Sequence, residues 1–111
     1  MLAMRNLLAS SEPPTAVFCY NDMTALGALR SIHEAGLKVP RDISVVGFDD
    51  LFLASYMQPP LTTVRQPMRR MGQLAMEHLL QLASGSAPSQ TVHIPAELVV
   101  RQSTAPPRKD K

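Results

Sequence analysis

The fold is decided by residues 16–50, which read AVFCYNDMTALGALRSIHEAGLKVPRDISVVGFDD. The short apolar runs at 16–20 and 43–48 are β-prone and are typical of strands buried on both faces. Between them, apolar residues recur at helical spacing over 23–35, and Gly36 stands where a left-handed C-terminal cap is wanted. The pattern predicts a strand–helix–strand unit of an α/β fold, with the two strands parallel.

The rest of the chain predicts further elements of the same kinds. Residues 1–9 have the spacing of a helix, and residues 51–56 that of one or two helical turns. The β-branched run at 61–65 predicts another strand, and residues 96–101 predict a last one. Pro67 opens a helix for which we expect a buried stripe. The members of this stripe are Met68, Met71, Gly72, Ala75, Leu79 and Leu82.

Length and composition exclude several classes of protein. With 111 residues and 45% apolar side chains, the chain fits one compact unit. Its apolar runs fall well short of the roughly 20 residues that span a membrane, and its first residues do not form a continuous apolar signal segment. We therefore expect a cytoplasmic protein with no membrane partner.

The positive charge is concentrated at the C-terminus. The last four residues supply three of the 11 basic and one of the 9 acidic side chains, which leaves eight of each sign for the body. A neutral body has no basic stripe to displace counterions from phosphates, so we expect no direct nucleic-acid binding by this chain. Residues 105–111 are predicted to form a disordered tail.

Motif spacing does not favour an enzyme. The five glycines do not approach a phosphate-binding pattern, and the three histidines lack metal-ligand spacing. The lone cysteine, Cys19, is expected to be a small buried apolar residue of its strand. We expect no enzymatic activity, no cofactor and no metal site.

A binding site is predicted where the two parallel strands end. Their carboxyl ends meet at one edge of a sheet, and in open α/β folds that edge holds the ligand. The amide of Asn21 donates and accepts, and the carboxylate of Asp49 accepts from two neighbouring hydroxyls, which together suit a sugar or polyol. Gln66 adds a third polar group, and Arg65 is a competing candidate that ranks below it.

The acidic residues allow two other interpretations. Asp22 can cap the following helix while Asp49 or Asp50 orders a turn. Paired aspartates at a strand end also suit a phosphoryl acceptor, but that chemistry needs a lysine at a later strand end. The lysines lie at 38, 109 and 111, which argues against it.

Residues 16–50, followed by PPLTTVRQP at 59–67, closely resemble the effector-binding core of LacI/GalR-family transcriptional regulators. The resemblance runs from about Pro14 to Ser103. It implies a parallel-sheet α/β fold of the periplasmic-binding-protein type, in which two lobes enclose a small effector. This chain would be truncated to the C-terminal lobe plus a segment of the N-terminal lobe.

The resemblance implies a division of the chain. Residues 1–104 would form a partial effector-binding domain. Within it, residues 1–65 belong to the C-terminal lobe, residues 66–93 form a crossing segment and helix of the N-terminal lobe, and residues 94–104 return. We expect a gene fragment, a mis-started reading frame or a deliberately shortened chain.

The resemblance also assigns residues. Asn21 and Asp49 fall on effector-contact positions of the family, and Gln66 and Met68 line the same cleft. Three residues fall on the face used for dimerisation, although ordinary packing also accounts for them: Leu26, Tyr56 and Met57.

The function that follows is effector sensing in a LacI/GalR-type repressor, with DNA binding confined to the intact parent. Expected partners are a small molecule such as a sugar and either a second copy or an intact regulator. Because much of the cleft is absent, we expect weak or no sugar binding by this chain alone. The alternatives are a fragment of a periplasmic sugar-binding protein and an enzyme that uses Asp49 as its carboxylate.

Overall fold

The computed structural model describes residues 1–85 and 90–109, so that the end of the expected tail lies outside it. The elements, in chain order, are α1 (Leu2–Leu8), β1 (Ala16–Phe18), α2 (Asp22–Glu34), β2 (Ser44–Asp49), a 3-10 helix (Phe52–Tyr56), β3 (Thr62–Arg65), α3 (Met68–Ala83) and β4 (Glu97–Val99).

The strands form one sheet in the order β1-β2-β3-β4. β1 pairs with β2 in parallel, with Phe18 opposite Val46, and β2 pairs with β3 in parallel, with Asp49 opposite Arg65. The predicted α/β class and the parallel pairing of the first two strands are confirmed. Each parallel pair is joined by a segment that returns the chain to the same end of the sheet.

Helix α2 connects β1 to β2 and has clear signals at both ends. The side chain of Asn21 caps its start, and Gly36, with φ of +75°, follows its C-terminal residue Ala35. Glycine adopts this left-handed conformation without a steric penalty. The predicted bounds of this helix differ from the observed ones by one residue at each end.

The hydrophobic core lies between α1, α2 and the sheet. Its middle is formed by side chains with no more than 1% exposure, such as Ile32, Ile43 and Leu61. The full buried cluster consists of Met4, Cys19, Ala25, Ala28, Leu29, Ile32, Ile43, Val45, Ala54, Met57 and Leu61. Burial of Cys19 confirms its predicted place in the core.

Strand β1 differs from the prediction of burial on both faces. Burial alternates along β1 and the two residues that follow it, so that Cys19 faces the core while Phe18 is 69% and Tyr20 is 87% exposed. The reason is position, since β1 is the first strand in the sheet order and pairs, among the described strands, with β2 alone, whereas helix α2 packs against β2. The ring of Phe18 meets that of Phe48 edge to face, with the centroids 6.5 Å apart.

The C-terminal segment 101–105 enters the sheet where β2 and β3 begin. Ser103 is fully buried, and its hydroxyl donates to the carbonyl of Val45 and accepts from the backbone N–H of Thr62, at 2.5 and 2.8 Å. The N–H of Val45 donates back to the carbonyl of Ser103. Ala105 is bonded through both its N–H and its carbonyl to the hydroxyl of Ser44. Ser103 therefore links two strands through a single side chain.

The chain divides into two compact units. The first comprises Met1–Arg65 and the chain from Leu98 onward, and the second is Gln66–Glu97. The stripe predicted to be buried on α3 is wrong for this structure, because none of the residues of α3 is buried. Within the described part of the second unit, α3 is the one helix, so no second helix covers its apolar side.

Candidate functional site

The predicted site lies where β1 and β2 end. Because these strands are adjacent and parallel, Asn21 and Asp49 emerge at the same end of the sheet. Asp49 is the last residue of β2, and Asn21 lies three residues after the end of β1 as the N-cap of α2. Both residues are partly buried. This edge is where open α/β sheets bind ligands.

The conformation of Asn21 is fixed by helix α2. Its backbone is extended, and its Oδ1 accepts hydrogen bonds from the N–H and the hydroxyl of Thr24, at 2.8 and 2.9 Å. An asparagine at this position satisfies an N–H that the helix itself leaves unpaired. The cap uses the oxygen of the amide, so its NH2 group is the part that can donate to another molecule.

Asp49 and Asp50 both have a left-handed backbone. Their φ angles are +110° and +56°, values that few residues other than glycine adopt. Such conformations persist where the surroundings hold them, and they occur more often at functional sites than elsewhere. No residue pattern in the sequence predicts these two left-handed positions, although aspartate tolerates the left-handed region better than most residues.

Asp22 has a different role from the predicted one. The interpretation that Asp22 caps α2 is wrong, because the capping side chain is that of Asn21. Asp22 is fully buried, and its two oxygens accept from the hydroxyl of Thr63 at 2.6 Å and from the N–H of Leu51 at 2.7 Å. Asp22 therefore ties the segment after β2 to β3.

Gly47 makes room for this buried carboxylate. A Cβ added at Gly47 would overlap Oδ1 of Asp22 and would lie 2.8 Å from Cδ2 of Leu61. A glycine inside a buried strand often marks such a close approach. It is the one signal in the sequence that pointed to a group pressed against β2.

Asp50 is the centre of an ion cluster at the same edge. Its Oδ2 accepts from Nε of Arg65 at 2.7 Å, and its Oδ1 accepts from Nη2 of Arg101 at 2.6 Å. Burial works to raise the pKa of Asp50, but the hydrogen bonds and charges of the two arginines outweigh it and hold the pKa below its ordinary value. Arg65, the competing candidate for the binding site, therefore forms an ion pair with Asp50.

The remaining predicted site residues belong to the second unit. Gln66 is its first residue, and its carbonyl accepts from the N–H of Met68 at 2.9 Å. The side chain of Met68 is 65% exposed. The place of Gln66 and Met68 in the effector cleft stays a prediction.

The three residues predicted for a dimer face differ in accessibility. Leu26 is 40% and Tyr56 is 71% exposed, and the ring of Tyr56 lies 5.0 Å from that of Phe52. Met57 is 5% exposed and packs in the hydrophobic core, which accounts for its apolar character. Leu26 and Tyr56 are therefore accessible to a partner, and the side chain of Met57 is not.

Three further features concern the reactivity of Cys19, metal binding and membrane spanning. Burial raises the pKa of the Cys19 thiol, which disfavours the nucleophilic thiolate. Over residues 1–85 and 90–109, no three histidine, cysteine or acidic side chains are grouped to hold a metal ion. Within the same residues, none of the helices has the length and apolar character needed to cross a bilayer.

Comparison with known proteins assigns the chain to a family. A family model described as a periplasmic binding protein-like domain matches residues 1–104. The chain belongs to this family. The periplasmic binding protein-like fold also accounts for the sheet edge described above, because it is an α/β fold with parallel strands.

Curated relatives of this periplasmic binding protein-like chain are transcriptional repressors. The HTH-type transcriptional repressor PurR of Vibrio campbellii is 46% identical over 104 residues, which are 93% of this chain and 31% of that protein. The ribose operon repressor of Haemophilus influenzae is 48% identical over 81 residues, or 73% of this chain and 24% of that protein. The chain therefore spans about a third or less of these relatives.

Solved structures agree with the family. The dimeric Lac repressor with an 11-residue C-terminal deletion is 43% identical, with a TM-score of 0.89 over 96% of this chain and 39% of that chain. The Lac repressor dimer bound to operator and the anti-inducer ONPF is 44% identical, with a TM-score of 0.87 over 93% of this chain and 36% of that chain. The predicted family is confirmed: the chain is homologous to part of the effector-binding domain of LacI-family repressors.

Proposed function

We propose that this chain is an effector-sensing segment of a LacI/GalR-type transcriptional regulator of the cytoplasm, and that its effector is a sugar or a similar small polar molecule. The observation that carries the proposal is the emergence of Asn21 and Asp49 at one end of adjacent parallel strands. Homology to repressors, one of them named for the ribose operon, supports the same conclusion.

The chemistry proposed for the site follows from the two side chains. Asp49 accepts hydrogen bonds from two neighbouring hydroxyls of the ligand, and the NH2 group of Asn21 donates to a third oxygen. A ligand that lacks these hydroxyls forms none of these hydrogen bonds, which gives the site its selectivity. Gln66 and Met68 complete the site from the following segment.

The division into two units supports the proposed lobes. We assign residues 1–65 and 94–104 to the C-terminal lobe and residues 66–93 to a crossing segment and helix of the N-terminal lobe. The boundaries at Arg65 and Leu98 fall close to these limits. In the whole regulator, an effector that binds the arrangements of the lobes unequally would change operator binding, through a dimer that includes Leu26 and Tyr56.

The proposal is tested by titrating the isotope-labelled chain with neutral pentoses and hexoses and recording amide shifts by NMR. We expect dissociation constants of about 1 mM or weaker, with the largest shifts at residues 21 and 49. Asp49→Asn should abolish these shifts, because the neutral amide accepts less strongly and from fewer directions. Glu12→Gln, an exposed acid elsewhere, should leave them unchanged.

Two results would contradict the assignment. One is a set of sugar-dependent shifts that survives Asp49→Asn unaltered. The other is a set of sugar-dependent shifts that is confined to residues other than those around 21 and 49. Since the body of the chain is electrically neutral, we also expect no retardation of operator DNA by the purified chain in a gel-shift assay.

A further inference from the structure

Asp50 holds the chain at both places where it passes between the two units. Arg65 is the last residue of the first unit before Gln66, and Arg101 follows soon after Leu98, where the chain re-enters that unit. One carboxylate accepts from both guanidinium groups, at 2.7 and 2.6 Å. The two connections are therefore fixed to the end of β2 by a single side chain.

Arg101 is well placed to serve as a rigid anchor. Its side chain is 17% exposed, and its Nη1 donates to the carbonyl of Leu61 at 2.9 Å. Its backbone N–H donates to the hydroxyl of Thr62, also at 2.9 Å. With three donors engaged on three groups, Arg101 has little freedom to leave Asp50. Arg65 is half exposed, which makes it the looser of the two partners.

The segment held in this way includes the predicted effector ligand. Asp49 and Asp50 are both left-handed, and the next residue, Leu51, donates its N–H to the buried carboxylate of Asp22. The backbone of Asp49 is thus fixed by β2 on one side and by two side-chain anchors on the other. A strained conformation of this kind depends on its anchors.

We propose that Asp50 is a positioning residue for Asp49. Its bonds to Arg65 and Arg101 keep the backbone at positions 49 and 50 left-handed and so hold the Asp49 carboxylate where it meets the effector. A movement of the two connections that changes the bonds of Arg65 and Arg101 to Asp50 therefore also changes the affinity for the effector. By linkage, effector binding changes the free energy of that movement by the same amount. The role in affinity rests on the proposed function, whereas the conformational role does not.

The test uses Asp50→Asn in the full 111-residue chain. Asparagine keeps the size of the side chain and tolerates a left-handed backbone, so the variant removes mainly the charge. We expect the three-bond coupling between the amide and α protons of Asp49 to change, and sugar binding measured by NMR to weaken about tenfold. Arg65→Gln, which leaves the Arg101 pair intact, should produce smaller changes in the same direction.

Asp42→Asn is the matched control. Asp42 also accepts from an arginine, Arg41 at 3.0 Å, and from a backbone N–H, that of Lys38 at 2.8 Å, but it lies in the loop between α2 and β2. Removal of the Asp42 charge should leave the three-bond coupling of Asp49 unaltered. Because this control also removes the charge of an aspartate paired with arginine, it separates a local effect at Asp49 from the loss of such a pair elsewhere.

The outcomes separate the two proposals. An unchanged coupling at Asp49 in both Asp50→Asn and Arg65→Gln overturns the positioning role, whatever the sugars do. A changed coupling with undiminished sugar binding also overturns it, provided that Asp49→Asn abolishes binding. If Asp49→Asn has no effect on binding, the proposed function fails, and the coupling, which needs no ligand, alone decides the conformational role.

Discussion

Helices α2 and α3 follow the same rule of apolar spacing and differ in what covers them. Helix α2 buries Ala25, Ala28, Leu29 and Ile32, whereas α3 has no buried residue. The difference lies in the chain on either side of α2, where β1 and β2 pair in parallel and return the helix to their own sheet. Periodicity therefore identifies a face that is suited to burial, and connectivity decides whether a second layer is present.

The sharpest test of this comparison is a pair of truncations to alanine. Ile32→Ala, at a fully buried site of α2, should lower the free energy of unfolding by about 2–5 kcal/mol, because it removes apolar contacts and leaves a cavity. Leu79→Ala, at a site of α3 that is 61% exposed, should change it by less than about 0.5 kcal/mol. Urea denaturation followed by circular dichroism measures both. An equal loss in the two variants would mean that α3 is covered in solution.

A second comparison uses Gly47 in strand β2 and Gly72 in helix α3. Gly47→Ala should destabilise the first unit by about 1–3 kcal/mol, because the added methyl group meets Asp22 and Leu61. Gly72→Ala in α3 is the control, since a Cβ there meets nothing within 4 Å and alanine favours the helix. The midpoint of thermal unfolding should be lower than that of the wild type for Gly47→Ala and higher for Gly72→Ala. A neutral Gly47→Ala would show that the buried carboxylate has room to move.

A buried and an exposed serine compare hydrogen bonding in the same way. Ser103→Ala leaves the N–H of Thr62 without its partner, so we expect a loss of about 1–2 kcal/mol in the free energy of unfolding. Ser55→Ala removes an exposed bond to the carbonyl of Phe52 and should have almost no effect. Amide hydrogen exchange should also become faster at Thr62 in the first variant. Unchanged protection at Thr62 would remove the assigned role of Ser103.

The smallest expected effect is on pH dependence. The pKa of Asp50 is lower in the folded chain, so its ionised form stabilises the fold above the unfolded pKa of about 3.9, and this contribution is lost as the pH falls through the folded value. Asp50→Asn lacks the contribution, so its stability should fall less steeply than that of the wild type as the pH is lowered below about 5. If the free energy of unfolding changed with pH by the same amount in the two proteins, the ion cluster would be contradicted.

The sequence predicts the parts of this molecule that depend on local pattern. The limits of α2, its glycine cap and the parallel strands follow from periodicity and from the length of the connection. The emergence of Asn21 and Asp49 at one edge then follows from topology. Exposure of Phe18 and Tyr20 was missed, because an uninterrupted apolar run looks the same in an edge strand as in a central one.

The parts that were missed join groups far apart in the chain. Ser103 bonds to a residue 58 positions away, Asp22 to one 41 away and Asp50 to one 51 away. Hydrogen bonds at such separations leave no local signature in the sequence. Gly47 is the exception, because its missing side chain is itself a trace of the carboxylate that lies against it.

The insertion of residues 101–105 has a consequence for biosynthesis. A ribosome makes the three parallel strands first and the segment that bonds to Ser44, Val45 and Thr62 later. Until that segment emerges, the N–H groups of Val45 and Thr62 and the carbonyl of Val45 lack the partners that it supplies. The nascent sheet therefore gains these hydrogen bonds only after the whole stretch between β3 and residue 103 has been made, and in the interval its backbone groups are open to water or to another chain.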